Sequence, residues 1–464
     1  MISRNMFAGR DPFRPALVLA LLFCLTGCRC NRLEPNKEAG LLRGLRAAAV
    51  ALPNGSPLGY PDDVFAALDP LFRRADIIGL GEATHGTAEF FELKHRLFRY
   101  LVECHGARVL GYEYDFRFGS ALEVERYVTG GEGDPDRLLS GLYWTHRNRE
   151  FRDLLVWLRR YNATRAGKDR IHFIGIDSQL DIRRPDVLAR EIRRCDAGLA
   201  EAVGGILSRI ESRYPLDHRK MPPEAYAGVR DLYLLLENRA KEYLTEHPDP
   251  ARKEERALLL RLIRSCLMSH ELRYRYNENK DIRDRQMAEH ALWLKEFAGE
   301  GRKTVLWAHN SHTAKNPRYT ADGGPAMGEA LRERLGDAYV ALATSFSEGA
   351  FAAVTEDFFG ADTEPIAWDI GEIPPPGSVN RLLFDAGIPS FYFLIPRSPS
   401  PDGLYSFLDA SRPFLGVGDF FSRNVDDHYG RDRISRIARE FDAVFFYRRT
   451  GAAHILPKGP PGRS

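Results

Sequence analysis

The chain has 464 residues, enough for two or three average domains or for one large α/β body carrying an insertion. A hydrophobic content of 44%, with 11% aromatics, is that of an ordinary globular protein that can bury a sizeable core. A formal charge of +2, from 66 basic and 64 acidic residues, gives no electrostatic case for nucleic acid, which is set aside as a partner.

In chain order the first element reads as an export signal. Arg4, Arg10 and Arg14 precede the apolar run Ala16 to Leu25, which is too short to span a bilayer as a mature helix. Leu25-Thr26-Gly27-Cys28 follows and resembles a bacterial lipobox. That resemblance implies removal of residues 1–27, lipidation of Cys28 and membrane contact through a lipid anchor. It places the protein in the cell envelope, with Arg29 compatible with the periplasmic side of a Gram-negative outer membrane. Cleavage removes Cys24 and leaves Cys30, Cys104, Cys195 and Cys266 as thiols, their spacings matching no zinc or Cys-x-x-Cys motif. Cys104 and Cys266 fall in apolar-periodic stretches, where buried thiols are expected.

Residues 28–70 read as a tether and leading helices, with the loop Pro53 to Pro61 between them. Ile77, Ile78 and Leu80 then form a short strand that ends in Glu82-Ala-Thr-His85-Gly86. A helical pattern follows at Phe90, Phe91, Leu93, Leu97, Phe98 and Leu101. Glu82 and His85 thus sit where a strand hands over to a helix; the duller reading makes Glu82 or Thr84 a helix cap. Ala107 to Asp115 repeats the pattern, delivering Glu113. Helical stretches run from Gly119 to Val128, Pro135 to Leu142 and Arg149 to Tyr161. The glycines between the first two, Gly130 to Gly133, lack nucleotide-loop spacing. A third strand from Ile171 ends on Asp177.

Residues 183–300 carry charged, Leu-rich helical periodicity and no convincing strand, so they read as an all-helical insertion. Arg283 and Asp284 lie on its last helix, where mixed charge ordinarily marks a solvated face. Strand four, Lys303 to His309, leads to His312. Later strands are expected at Ala338 to Thr344, Phe391 to Ile395 and Ala443 to Tyr447, with long loops at Pro365 to Pro376 and Pro396 to Gly403. Four strands end on Glu82, Glu113, Asp177 and His309. Parallel strands of one sheet bring such ends to a common edge.

No G-x-S-x-G elbow, H-E-x-x-H helix or triad cysteine is present. Histidine and carboxylate remain, and they suit two chemistries. A His held by Glu can deprotonate water for direct hydrolysis, or the same groups can ligate a divalent metal that activates the water.

Gly81-Glu-Ala-Thr-His-Gly86 with Glu89-Phe-Phe91, Tyr112-Glu113, Gly175-Ile-Asp177, Arg283-Asp284 with Met287-Ala288, and Trp307-Ala-His-Asn-Ser-His312 together resemble the erythromycin esterase family, in order from about Asp76 to Tyr447. The resemblance implies macrolactone or ester hydrolysis, with His85 as general base, Glu82 orienting it, Glu113 holding the water or the base, and His309 assisting at the carbonyl or leaving oxygen. It assigns His312, Arg283, Asp284 and Asp177 to the cleft. Lys94 stands where some members have Arg, keeping the cation without the fork. Macrolide resistance is implied less firmly than the chemistry, since many members are not resistance enzymes.

The expected fold is α/β, a mixed and mostly parallel sheet flanked by helices, with the catalytic domain at 71–182 and 301–450 and the insertion covering the carboxyl-end cleft. The expected substrate is a small-molecule ester or lactone, with no cofactor. The alternatives are a metal-dependent hydrolase using Glu82, His85, Glu113 and His309 as ligands, and a non-catalytic envelope polysaccharide-associated protein.

Overall fold

A computed structural model of the chain describes residues 34–116, 119–131, 133–179, 185–213, 221–275, 282–316, 325–355, 364–371, 373–422 and 434–459. The export signal, Cys28 and Cys30 lie outside the described residues. No helix among the described residues is long and apolar enough to cross a membrane.

The strands are β1 (Val50–Ala51), β2 (Ile77–Glu82), β3 (Ala107–Asp115), β4 (His172–Asp177), β5 (Lys303–His309), β6 (Tyr339–Thr355), β7 (Ile366–Asp369), β8 (Ser390–Leu394), β9 (Arg412–Pro413), β10 (Phe420–Phe421), β11 (Ile434–Ser435) and β12 (Ala443–Thr450). The main sheet runs β1-β8-β12-β6-β2-β5-β3-β4, with β7 and β10 added on β6. From β12 to β4 every neighbour is parallel. The antiparallel members are β8, between β12 and β1, and β7 on β6.

All six residues of β2 and of β4 are buried, as strands covered on both faces must be. Alternation along each strand divides its side chains between two cores. Ile77, Val109, Ile174, Leu306 and Ala341 point into one, with the helices Pro185–Cys195 to Ile282–Ala298. Ile78, Leu110, Phe173, Val305 and Val340 point into the other, with the helices Ala88–His105 and Arg149–Asn162.

Two local devices shape the carboxyl edge. The β3–β4 register passes from Tyr112↔Gly175 to Asp115↔Asp177, so β3 holds one extra residue, a bulge that re-aims Glu113. Gly81 leaves room for the short helix Asn310–Thr313: a Cβ there would lie 2.3 Å from Asn310 Oδ1 and 2.8 Å from Thr313 Oγ1. The turn carrying His309 and His312 can therefore press onto β2.

Two expectations need correction, on the Pro-rich region and on Cys104. The helical insertion meets the sheet at both ends of β4, and its last helix carries Arg283 and Asp284 to the carboxyl edge. Glu254 faces His172 at the amino end of β4, while Ser269 and Arg273 donate to the carbonyls of Ser178 and Gln179 at its carboxyl end. The Pro-rich region from Pro365 holds a strand, because β6 overhangs the sheet and leaves backbone groups at Ala350 to Ala353 for β7 to pair. Cys104 is exposed; its helix turns Leu97, Phe98, Leu101 and Val102 inward, which carries Glu103 and Cys104 outward. Cys195 and Cys266 are buried and form no disulfide.

Candidate active site

In space the strand order β2, β5, β3, β4 places the ends carrying Glu82, His309, Glu113 and Asp177 side by side. Glu82 and His309 are direct register partners. The line of polar endings in the sequence is thus one continuous edge.

Glu82 is the hub. One oxygen accepts from His85 Nδ1 at 2.6 Å; the other accepts from Lys94 Nζ at 2.7 Å and from Trp307 Nε1 at 2.9 Å. Burial alone would push this carboxyl up, but the Lys94 charge and the His85 hydrogen bond outweigh it and bring it to about 2. Burial works on Lys94 in the other sense: the ammonium falls to about 8 despite Glu82. Lys94 also lies 4.7 Å from the centroid of the Trp307 ring.

An ionised carboxylate only accepts, so His85 Nδ1 carries a proton, and in the neutral ring Nε2 keeps its lone pair. Nε2 makes no hydrogen bond among the described residues, and the side chain is 18% exposed. Burial pulls the imidazole down, yet the Glu82 hydrogen bond and the charges of Glu113, Glu82 and Asp419 hold it above its ordinary value.

Beside it lies a second buried chain of charges. Glu113 accepts from Arg283 Nη2 at 3.0 Å and from the His309 backbone N–H at 2.7 Å. Arg283 also forks onto Asp177, with Nη2 at 2.8 Å. His312 places Nδ1 2.8 Å from Asp284 and Nε2 3.2 Å from Glu113. Burial opposes a charge on this ring, but the two carboxylates prevail and raise it to about 10. The protonated ring therefore donates at both nitrogens, and its 3.1 Å approach to Arg283 Nη1 is a contact of like charges sharing Glu113. Burial would raise Glu113, but His312, His85 and Arg283 hold it well below the usual carboxylate range.

His309 is engaged at both ring nitrogens. Its Nδ1 accepts from the Ser311 N–H at 3.3 Å and its Nε2 donates to the Ala83 carbonyl at 3.3 Å. The ring stands 5.4 Å from that of His85 and pins the turn that carries it.

The expected ligand set does not fit a metal ion. Each Glu82 and Glu113 oxygen already takes a protein donor, His85 Nδ1 faces Glu82, and His309 is engaged at both nitrogens. No three His, Cys, Asp or Glu among the described residues are grouped to hold one.

Sequence reading missed several neighbours. His146, held neutral by burial at about 4, places Nε2 3.2 Å from the Glu113 carbonyl. Trp307, which opens the motif that ends at His312 but was given no role of its own, holds Glu82. Asp419 and Tyr143 come from loops distant in the chain, and neither has a motif around it.

The sequence pattern of the family described as Erythromycin esterase matches residues 102–450. The chain belongs to the erythromycin esterase family. Membership makes it a hydrolase of the esterase type. The chain is 22% identical over 409 residues to erythromycin esterase type II of Escherichia coli, covering 80% of this chain and 96% of that one. Among solved structures, a succinoglycan biosynthesis protein superposes with a TM-score of 0.75 at 23% identity, over 91% of this chain and all of that one. An erythromycin esterase mutant in its open conformation gives 0.62 at 18% identity, over 89% and 100% of the two chains. These two likenesses concern the fold.

Proposed function

We propose that the protein hydrolyses a carboxylic ester or lactone by direct attack of a water that His85 deprotonates. The observation that carries this reading is the His85 ring, held by Glu82 at Nδ1 and left with an unused lone pair at Nε2. In the proposed cycle Nε2 takes a proton from water as the hydroxyl oxygen bonds to the carbonyl carbon. The resulting imidazolium then returns that proton to the leaving alkoxide as the C–O bond breaks. Glu82 fixes the tautomer, and Lys94 with Trp307 keeps Glu82 ionised. Glu113, Arg283, Asp177, His312 and Asp284 form the charged floor beside the base. The reaction so read is metal-independent and needs no cofactor. The substrate class is a macrolide lactone or another ester reached from the cell envelope, where a Cys28 lipid anchor would hold the enzyme.

The printed name of the succinoglycan biosynthesis protein supports a second reading, a polysaccharide-associated envelope role on the same fold. The test is mass spectrometry of erythromycin and a panel of simple esters incubated with the protein, with and without chelator. Addition of one water, unaffected by chelator and lost in His85→Ala, supports hydrolysis by His85. Turnover abolished by chelator overturns the metal-independent reading. No turnover of any compound favours the polysaccharide-associated role.

A further inference from the structure

Deprotonating water turns His85 into a cation inside a largely buried site, and the carboxylates around it are not equally free to balance that charge. Glu82 is matched by Lys94 at 2.7 Å and Glu113 by Arg283 at 3.0 Å. Asp419 has no basic side chain within ion-pair distance among the described residues. We infer that Asp419 is a positioning residue that supplies the counter-charge for the His85 imidazolium formed as water is deprotonated. The inference rests on the reading of His85 as the base.

Geometry places Asp419 for this part. The Val417 N–H donates to the Ala83 carbonyl at 2.7 Å, which ties the loop to the turn between Glu82 and His85. The Asp419 carbonyl accepts from Val354 N–H at 3.0 Å, fixing the residue against the overhang of β6. Tyr143 Oη donates to Asp419 Oδ2 at 3.3 Å, orienting the carboxylate. Burial holds the Asp419 carboxyl above its ordinary value and the His85 charge opposes that rise; the influence is mutual, since Asp419 raises His85.

The other groups bearing on His85 leave this charge distinct. Glu82 and Glu113 are shared with Lys94, Arg283 and His312, whereas His146 is neutral and His309 is bonded at both nitrogens. An anion on the loop tied to the His85 turn, in surroundings that exclude most water, stabilises the developing imidazolium more than the neutral resting ring. Removing it makes His85 a weaker base.

The experiment is NMR titration of ring-labelled histidines in the full chain, with His85 assigned by comparison with His85→Ala. Asp419→Asn is expected to lower the His85 pKa by about one unit, a tenfold change in proton affinity. Asp419→Glu restores most of it, and Tyr143→Phe gives a smaller fall in the same direction. With 4-nitrophenyl acetate as substrate, kcat of Asp419→Asn falls about tenfold with KM nearly constant, and the acid limb of the pH profile moves to lower pH. Unchanged titration of His85 in Asp419→Asn overturns the inference. So does a raised KM with unchanged kcat, which makes the carboxylate a substrate contact. Loss of the esterase reading shows separately, as turnover that survives His85→Ala, while the titration still reports the coupling of Asp419 to His85.

Discussion

Replacing Lys94 with Met removes one charge from the middle of the Glu82 network and tests both stability and catalysis. The Lys94–Glu82 contact is 2.7 Å, with the two side chains only 1% and 3% exposed, so solvent cannot take over the stranded carboxylate. Breaking a buried pair from one side costs about 3–5 kcal/mol. Met keeps the length of the apolar stem, so little of that loss comes from a cavity. The charge also sets the chemistry. Without the ammonium, Glu82 can stay ionised only against a protonated His85, so the ring holds its proton to higher pH. Activity near pH 7 is therefore expected to fall by more than tenfold and to recover in part at higher pH. Glu82→Gln combined with Lys94→Met removes both charges and is expected to regain most of the stability without regaining activity. Urea denaturation and the pH dependence of kcat/KM measure the two effects. A loss below about 1 kcal/mol in Lys94→Met, or a double variant no more stable than the single one, would refute the claim that Lys94 compensates Glu82.

The His312 ring is raised to about 10, so its contribution to stability is complete below its unfolded pKa near 6.5 and is lost as pH rises through about 10. Urea midpoints are expected to fall across that window and to flatten in His312→Gln; an equal slope in the variant counts against the Asp284–His312–Glu113 chain. Glu82 works in the opposite sense: with its carboxyl at about 2, its contribution is present above pH 4.5 and disappears on acidification through about 2, so Glu82→Gln reduces the acid sensitivity of folding. A Cβ on Gly86 would lie 1.9 Å from the Ala352 carbonyl oxygen. Gly86→Ala is expected to cost about 1–3 kcal/mol and to cut kcat/KM more than tenfold by displacing the adjacent His85, and full activity would sink this view of the turn. Arg283→Lys loses the fork that holds Asp177 together with Glu113, and its expected effect is a destabilisation of about 1–3 kcal/mol by urea denaturation.

The strands and their polar endings were readable in the chain because both are local properties. Six buried residues in β2 or β4 read as short apolar runs, and a carboxylate or histidine at the end of a run is visible without knowing its neighbours. The overhang of β6 and its partner β7 were not readable. Pro365 marks a loop, and nothing nearby announces that Ile366 to Asp369 will find an unpaired edge. Cys104 shows the same limit on a smaller scale: apolar periodicity identified the helix, but one position of rotation decided that this thiol faces outward.

By itself the sequence determined the residue types of the site, its place at strand ends, and the family. Tertiary structure decided which of those residues serve one another. The insertion of β5 between β2 and β3 sets His309 opposite Glu82 and brings Trp307 to the same carboxylate. Folding of the helix Ile282–Ala298 against β3, β4 and β5 turns Arg283 and Asp284 from a charged helix face into buried partners of Glu113, Asp177 and His312. The physical reason is the range of the interactions. Strand formation depends on neighbours along the chain, whereas the charge state of a buried histidine depends on every carboxylate within a few ångströms, and those arrive from strands, helices and loops that meet only in the folded protein.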